Sequence, residues 1–420
     1  MTEEAAAQQQ PRNIAKTLLA VAWIYGGRGV GLLWTFALIS KLSISDYGLY
    51  GMGFALMSLV GPPLDNPYQV RSARETERRF LAERSSRFLV GLFLMGVGAL
   101  LIPVHYILWF GLFVAGGEIV FKSLQSQAHR DGDPQHVWRM DTIRQITSVS
   151  IACGYLFLAE GPTLHVASLL YCAPYLVIAV LAGFTALRHR PRLPGPAKTV
   201  LILIGETLGL AAYLQGDVLL LGWLTNAETV GYYQLSITVV IAIATIGQSF
   251  GVSFHESLRE GGGDMAHGPQ VRSILVLGAA SALVVFVIGA GLLISPAPTE
   301  LAVTMMVMSL FCGMRSISSI LQVVLYIQHR DFFRLMANVS MVLPKLALVA
   351  LLASFGSVGA AVATVVIDAI LLGIYWNAVY GRAAVQRQRQ LRHDAGNASD
   401  ATGSETPGGP TDRDGQKGQA

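Results

Sequence analysis

Apolar residues along this chain do not alternate with polar ones at any short period. They run in blocks of about 20, the length of a helix that crosses a bilayer, separated by short polar stretches. The blocks fall at 14–38, 47–65, 88–104, 106–126, 145–159, 165–187, 199–222, 229–252, 273–294, 300–321, 335–354 and 357–380. The pattern predicts an all-α polytopic membrane protein of about twelve transmembrane helices, with 145–159 the shortest span. Residues 1–13 are polar and acidic and lack the apolar core and cleavage site of a signal peptide, so they read as a cytoplasmic N-terminus. From Gly381 the chain is rich in Arg, Gln, Asp, Gly and Ser and nearly free of large apolar side chains, which predicts a disordered cytoplasmic tail over 381–420.

The basic residues test this count. Lys and Arg collect in the cytoplasmic loops of membrane proteins. Here they collect after the second span (Arg71 to Arg87), the fourth (Arg130, Arg139, Arg144), the sixth (Arg188 to Lys198), the eighth (Arg259, Arg272), the tenth (Arg330, Arg334) and the twelfth (from Arg382). The intervening connections hold one basic residue, Lys41. A miscounted span would scramble the alternation, so both termini are assigned to the cytoplasm and the protein to the cell membrane.

Composition removes other classes. Hydrophobic residues make up 53% of the chain, charged residues 13%, and the mean hydropathy is +0.51. A soluble fold cannot hide that much apolar surface. The net charge of +4 is too small to suggest a nucleic-acid partner. Cys153, Cys172 and Cys312 sit inside apolar runs without metal-ligand or disulfide spacing, so no metal or cofactor is expected. The chain lacks a G-x-x-x-x-G-K-[ST] phosphate loop. Its outward connections, such as 39–46 and 160–164, are too short for a catalytic domain, and an enzyme is not expected.

Twelve spans invite division into two sets of six. DYGLY at Asp46–Tyr50 matches TVGYY at Thr229–Tyr233, aligning Gly48 with Gly231 and Tyr50 with Tyr233 at an offset of 183. Lys122 matches Arg315 and Arg139 matches Arg334 at slightly larger offsets. The expected organisation is a six-helix bundle over 14–187, a cytoplasmic linker over 188–198 and a second bundle over 199–380, around a central cavity. An even number of helices per half gives both halves the same orientation.

These residues also carry a resemblance. The stretch AAYLQGDVLLLGWLTNAETVGYY from Ala211 to Tyr233, the matching LSISDYGLYGMGFAL from Leu42 to Leu56, and PYQVR from Pro67 to Arg71 resemble hallmarks of bacterial polysaccharide flippases. SVGAAVAT from Ser357 to Thr364 resembles the start of that family's last helix. The chain departs from the pattern at Val218, where the family often carries a basic residue after the aspartate. The resemblance, over roughly residues 14–380, implies the multidrug/oligosaccharidyl-lipid/polysaccharide flippase superfamily.

Ionisable side chains inside spans are expensive and therefore informative. Arg28 lies near the middle of the first span among Gly26, Gly27 and Gly29, with no acid within a turn. Glu118 and Lys122, four apart, are placed to pair on one helix face. Lys122 and its mate Arg315 would face each other across the cavity mouth. Lys345 and Asp368 flank the turn at Phe355–Gly356, each about 17 Å below it at 1.5 Å per residue, which predicts a buried pair. Glu206 and Asp217 lie about three turns apart on the seventh span, with Asp217 toward the outer, hydrated end. Arg28, Lys122, Arg315 and Lys345 are the candidate cargo-binding cations. Glu206, Asp217 and Asp368 are the candidate ion-coupling sites.

The expected function is export of a polyprenyl-diphosphate-linked oligosaccharide across the membrane for surface or exopolysaccharide synthesis. Its partners would be the lipid-linked oligosaccharide, the bilayer and glycan-assembly enzymes. A cation-coupled drug antiporter of the same fold is the alternative; a positive cavity would favour the flippase and a negative one the antiporter.

Overall fold

The computed structural model describes Trp23, Gly26, Gly27 and residues 29–72, 75–261 and 265–381. Residues 1–13, Arg28 and the predicted tail beyond Gly381 lie outside the described residues. The first span is described from Gly29, as α1 (Gly29–Lys41). There follow α2 (Ile44–Ser72), α3 (Glu77–Leu100), α4 (Tyr106–Arg130), α5 (Pro134–Leu158) and α6 (Leu164–Ala186). The second half holds α7 (Ala197–Leu224), α8 (Ala227–Ser253), short α9 (His255–Glu260), α10 (Val271–Ile294), α11 (Thr299–Ile327), α12 (Asp331–Ser340), α13 (Val342–Leu352) and α14 (Gly356–Tyr380). The architecture is all-α, with twelve spanning segments in two repeats of six; α9 lies in a connection, and α12 and α13 together make one span. Among the described residues, seven helical segments are long and apolar enough by themselves to cross a membrane, counting the folded-back stretch Asp331–Tyr380 as one.

Local chemistry sets the helix starts. Ser43 and Asp46 cap each other at α2: the Ser43 N–H and hydroxyl donate to Asp46 Oδ2 at 3.1 and 2.7 Å, and the Asp46 N–H donates to Ser43 Oγ at 3.0 Å. Asn226 accepts the Thr229 N–H at 2.9 Å to start α8. Asp133 accepts the His136 N–H at 3.2 Å, and Pro134 occupies the first turn of α5. This cap begins α5 eleven residues before the apolar run, so the short predicted span becomes a 25-residue helix. Similarly α3 begins at Glu77 rather than at 88. Polar first turns hid both starts from a hydropathy reading. The break at Met341 between α12 and α13 falls just before Pro344, which has no N–H to donate to the carbonyl of Ser340.

The chain reverses at Gly356, whose φ of +63° suits glycine. Glu300, in the first turn of α11, accepts the Ser357 N–H and hydroxyl at 2.9 and 2.8 Å and ties that turn down.

Each half has its own core. Trp34, Tyr50, Trp109, Phe110, Tyr171 and Tyr175 centre the first. Val218, Tyr233, Met308, Leu321, Leu371 and Tyr375 belong to two clusters in the second half, one of which also takes in Met52 and Ala55 of α2. The α3/α4 hairpin closes through facing Gly91 and Gly116, and the α10/α11 hairpin through facing Gly278 and Gly313; a Cβ on any of them would press on the opposite backbone. α2 joins the halves, packing on α7 and α8.

Candidate functional site

α2 and α8 touch through their first halves. Tyr47 and Thr238 share a hydroxyl hydrogen bond of 3.2 Å, and Gly51 packs on the Gln234 side chain. Farther along, α8 exposes Ile241, Ile246 and Val252. The halves are therefore bound tightly where α2 and α8 begin. Asn66 Nδ2 donates to the Leu203 carbonyl at 3.1 Å and ties the far end of α2 to the start of α7.

Charged side chains meet within the spans of each half, apart from the Arg71–Glu75–Arg79–Glu83 group where α2 meets α3. In the first, Asp65 of α2 is 1% exposed and takes a bidentate pair from Arg87 of α3 at 2.7 and 2.8 Å. Lys122 of α4 adds a second cation at 3.3 Å. One turn deeper on α4, Glu118 pairs with Arg144 of α5 at 3.2 Å and accepts the Tyr175 hydroxyl at 2.6 Å. Arg144 also donates to Tyr175 and Asp141. The Glu118–Lys122 pair predicted from spacing does not form. Shared helix face is a weak preference, and each side chain meets a better-placed partner on another helix.

Arg87 and Arg144, which the charge alternation assigns to cytoplasmic connections, are buried within α3 and α5. The early starts of those helices put them there. The Asp133-Pro134 dipeptide was the legible signal for Arg144. For Arg87 the signal was the unpartnered Asp65 near the end of the second span.

In the second half, Lys345 of α13 reaches Asp217 of α7 at 2.6 Å and donates to the Tyr213 carbonyl at 2.9 Å. Asp217 also accepts the Tyr233 hydroxyl at 2.5 Å, which contacts Thr364 at 2.6 Å, and the Val218 N–H at 3.0 Å. Asp217 is therefore fully buried and not hydrated at the outer end. Asp368 of α14, equally buried, accepts the Tyr213 hydroxyl at 2.8 Å and faces Arg315 of α11 at 3.7 Å. Among the described residues, Asp368 Oδ2 accepts no hydrogen bond. The predicted Lys345–Asp368 pair is thus split. Counting residues from Gly356 gives depth but not direction around the helix: Lys345 points to α7, Asp368 to α11, and Tyr213 touches both. Lys345 supplies from another helix the cation that Val218 does not.

Arg315 faces Asp368 at 3.7 Å, without a hydrogen bond between them, rather than standing opposite Lys122. Glu206 is exposed on α7 and forms no ion pair among the described residues. No cluster of metal-ligating residues occurs among the described residues.

This fold defines a class: polytopic membrane proteins with two six-helix bundles flanking a cavity. Among the solved structures that share it, three illustrate the likeness. They are lipid II flippase MurJ in an inward closed conformation (TM-score 0.65, 10% identity, 86% of this chain and 87% of that one), a multidrug resistance MATE family transporter of the MOP superfamily facing inward (0.58, 9%, 88% and 99%), and the MATE multidrug transporter DinF-BH (0.57, 12%, 88% and 95%). The resemblance seen in the sequence motifs is thus met at the level of the fold. No family model matches the sequence, and a search of curated proteins finds no match.

Proposed function

We propose that the protein is a transporter, and specifically a flippase that moves a polyprenyl-diphosphate-linked oligosaccharide from the cytoplasmic to the outer leaflet. Charge balance carries this reading. Every buried carboxylate among the described residues (Asp65, Glu83, Asp217, Asp368) already has a cationic partner, and Asp65 has two. A cationic drug needs a bare carboxylate; an anionic diphosphate needs a spare cation. Lys122 is that spare cation, with 34% of its side chain exposed while Arg87 by itself neutralises Asp65. Arg28, outside the described residues, is the expected second contact. The lipid tail of such a cargo stays in the bilayer, so only the head group needs the cavity.

By the charge alternation Lys122 lies toward the cytoplasmic end of α4, the side on which glycan-assembly enzymes would supply cargo. Asp368 is the proposed coupling carboxyl: its loose pair and bare Oδ2 make it the least secured buried anion of the second half.

A drug antiporter is the second reading, and the exposed, unpaired Glu206 favours it. Lipid-linked oligosaccharide accumulation in cells separates the two. Arg28→Ala and Lys122→Ala are expected to make the cargo accumulate at unchanged protein level. Normal export by both well-expressed variants would overturn the flippase reading, whereas drug sensitivity from Glu206→Gln would favour the antiporter.

A further inference from the structure

The connection between the halves is folded onto the start of α3. The Arg192 N–H donates to the Ala82 carbonyl at 3.1 Å. Ser85 Oγ donates to the Ala186 carbonyl at 2.5 Å, and Arg84 donates to Thr185 at 2.6 Å. Gly195 lies against the Arg71 guanidinium, which Glu83 holds at 2.8 Å. Between connection and helix is a cavity of about 690 Å³ lined by Arg78, Arg79, Arg188, His189, Arg190 and Arg192. No carboxylate lines it. Arg79 leans on Glu75 and Glu83 at 3.6 and 3.9 Å, but Arg78, Arg188, Arg190 and Arg192 form no ion pair among the described residues.

A second cavity, of about 540 Å³, adjoins it in the groove between α3 and α6. Phe88, Leu92, Val180, Phe184 and Leu187 line it, and Arg188 lines both cavities. Phe184 and Leu187 are 68% and 63% exposed on what is the lipid-facing side of the bundle. A basic chamber thus borders an apolar groove, with Arg188 lining both, at the end of two spanning helices.

We propose that this is a binding site for an anionic membrane phospholipid, with its phosphate among the arginines and an acyl chain in the α3/α6 groove. Arginine forks bind phosphate oxygens bidentately, and basic pockets at the ends of spanning helices suit such head groups. A soluble anion would use only the first cavity and a neutral lipid only the second; an anionic phospholipid fills both. The bound lipid would clamp the connection between the halves, whatever cargo the cavity carries.

The test is lipid binding to the full-length protein in nanodiscs of defined composition, with phosphatidylglycerol and phosphatidylcholine as probes and inorganic phosphate as competitor. Phosphatidylglycerol is expected to bind preferentially. Arg188→Gln should weaken it about fivefold and Arg188→Gln with Arg190→Gln about twentyfold, without changing phosphatidylcholine binding. Gly183→Leu, which fills the groove, should weaken phosphatidylglycerol but leave any phosphate binding intact. A preference for phosphatidylglycerol unaffected by the arginine double variant would overturn the proposal. So would competition by millimolar inorganic phosphate together with indifference to Gly183→Leu, because the site would then hold a free anion.

Discussion

Gly48 of α2 and Gly231 of α8 lie against each other's helices in reciprocal fashion. A Cβ on Gly48 would meet the Ala227 carbonyl and come within 2.8 Å of the Gly231 nitrogen; a Cβ on Gly231 would meet the carbonyl of Ile44. Ile44 and Ala227 are separated by the same 183 positions as the two glycines. The contact is thus a local two-fold relation between the repeats, and it locks together the beginning ends of α2 and α8.

Filling this crossing should force those ends apart. Gly48→Val or Gly231→Val meets backbone, which cannot yield as a flexible side chain would. The expected result is faster modification of a cysteine at Gln234 by a reagent added outside the cell, compared with the same cysteine in the unaltered helix pair. Unchanged labelling would mean that the crossing does not hold those ends together.

Lys345 and Asp217 form a buried pair, and breaking it should be worse than removing it. Lys345→Met strands Asp217 and should lower folding stability by about 3–5 kcal/mol. Adding Asp217→Asn should restore a large part, read as thermal unfolding in detergent. A double variant no more stable than Lys345→Met would show that the two charges do not depend on each other.

The two cations on Asp65 should separate structure from transport. Arg87→Ala removes the bidentate partner from a nearly sealed carboxylate and is expected to reduce the yield of folded protein. Lys122→Ala leaves that bidentate pair in place and should change stability by about 1 kcal/mol or less. Equal loss of folded protein from both would contradict the division of roles.

Asp368→Asn keeps the shape of the side chain and its contact with Tyr213 while removing the charge. If Asp368 carries the coupling proton, transport by this variant should lose its pH dependence at normal expression. A pH profile that matches the unaltered protein would assign coupling elsewhere.

Orientation is open to a direct check. A cysteine at position 161 or 228 should react with an impermeant reagent in intact cells, and one at 190 should not. Reaction at 190 would reverse the assignment of the cytoplasmic side.

The sequence by itself determined the all-α membrane class, the number of spans and the alignment of Gly48 with Gly231. These follow from properties that are local or additive: apolar length, basic residues between spans, and short turn motifs. It also picked out Lys122, Asp217, Arg315, Lys345 and Asp368 as charges that a membrane interior makes costly. Only the tertiary structure decided their partners. A charge in a span can be satisfied from any neighbouring helix, and the direction in which it points depends on helix rotation and on breaks such as that at Met341. For that reason Lys345 meets Asp217 rather than Asp368, and Glu118 meets Arg144 rather than Lys122. Arg87 and Arg144 became part of the site because capped helices extend beyond their apolar runs. The docking of α2 on α8, likewise, is a relation between residues nearly two hundred positions apart that hydropathy along the chain does not contain.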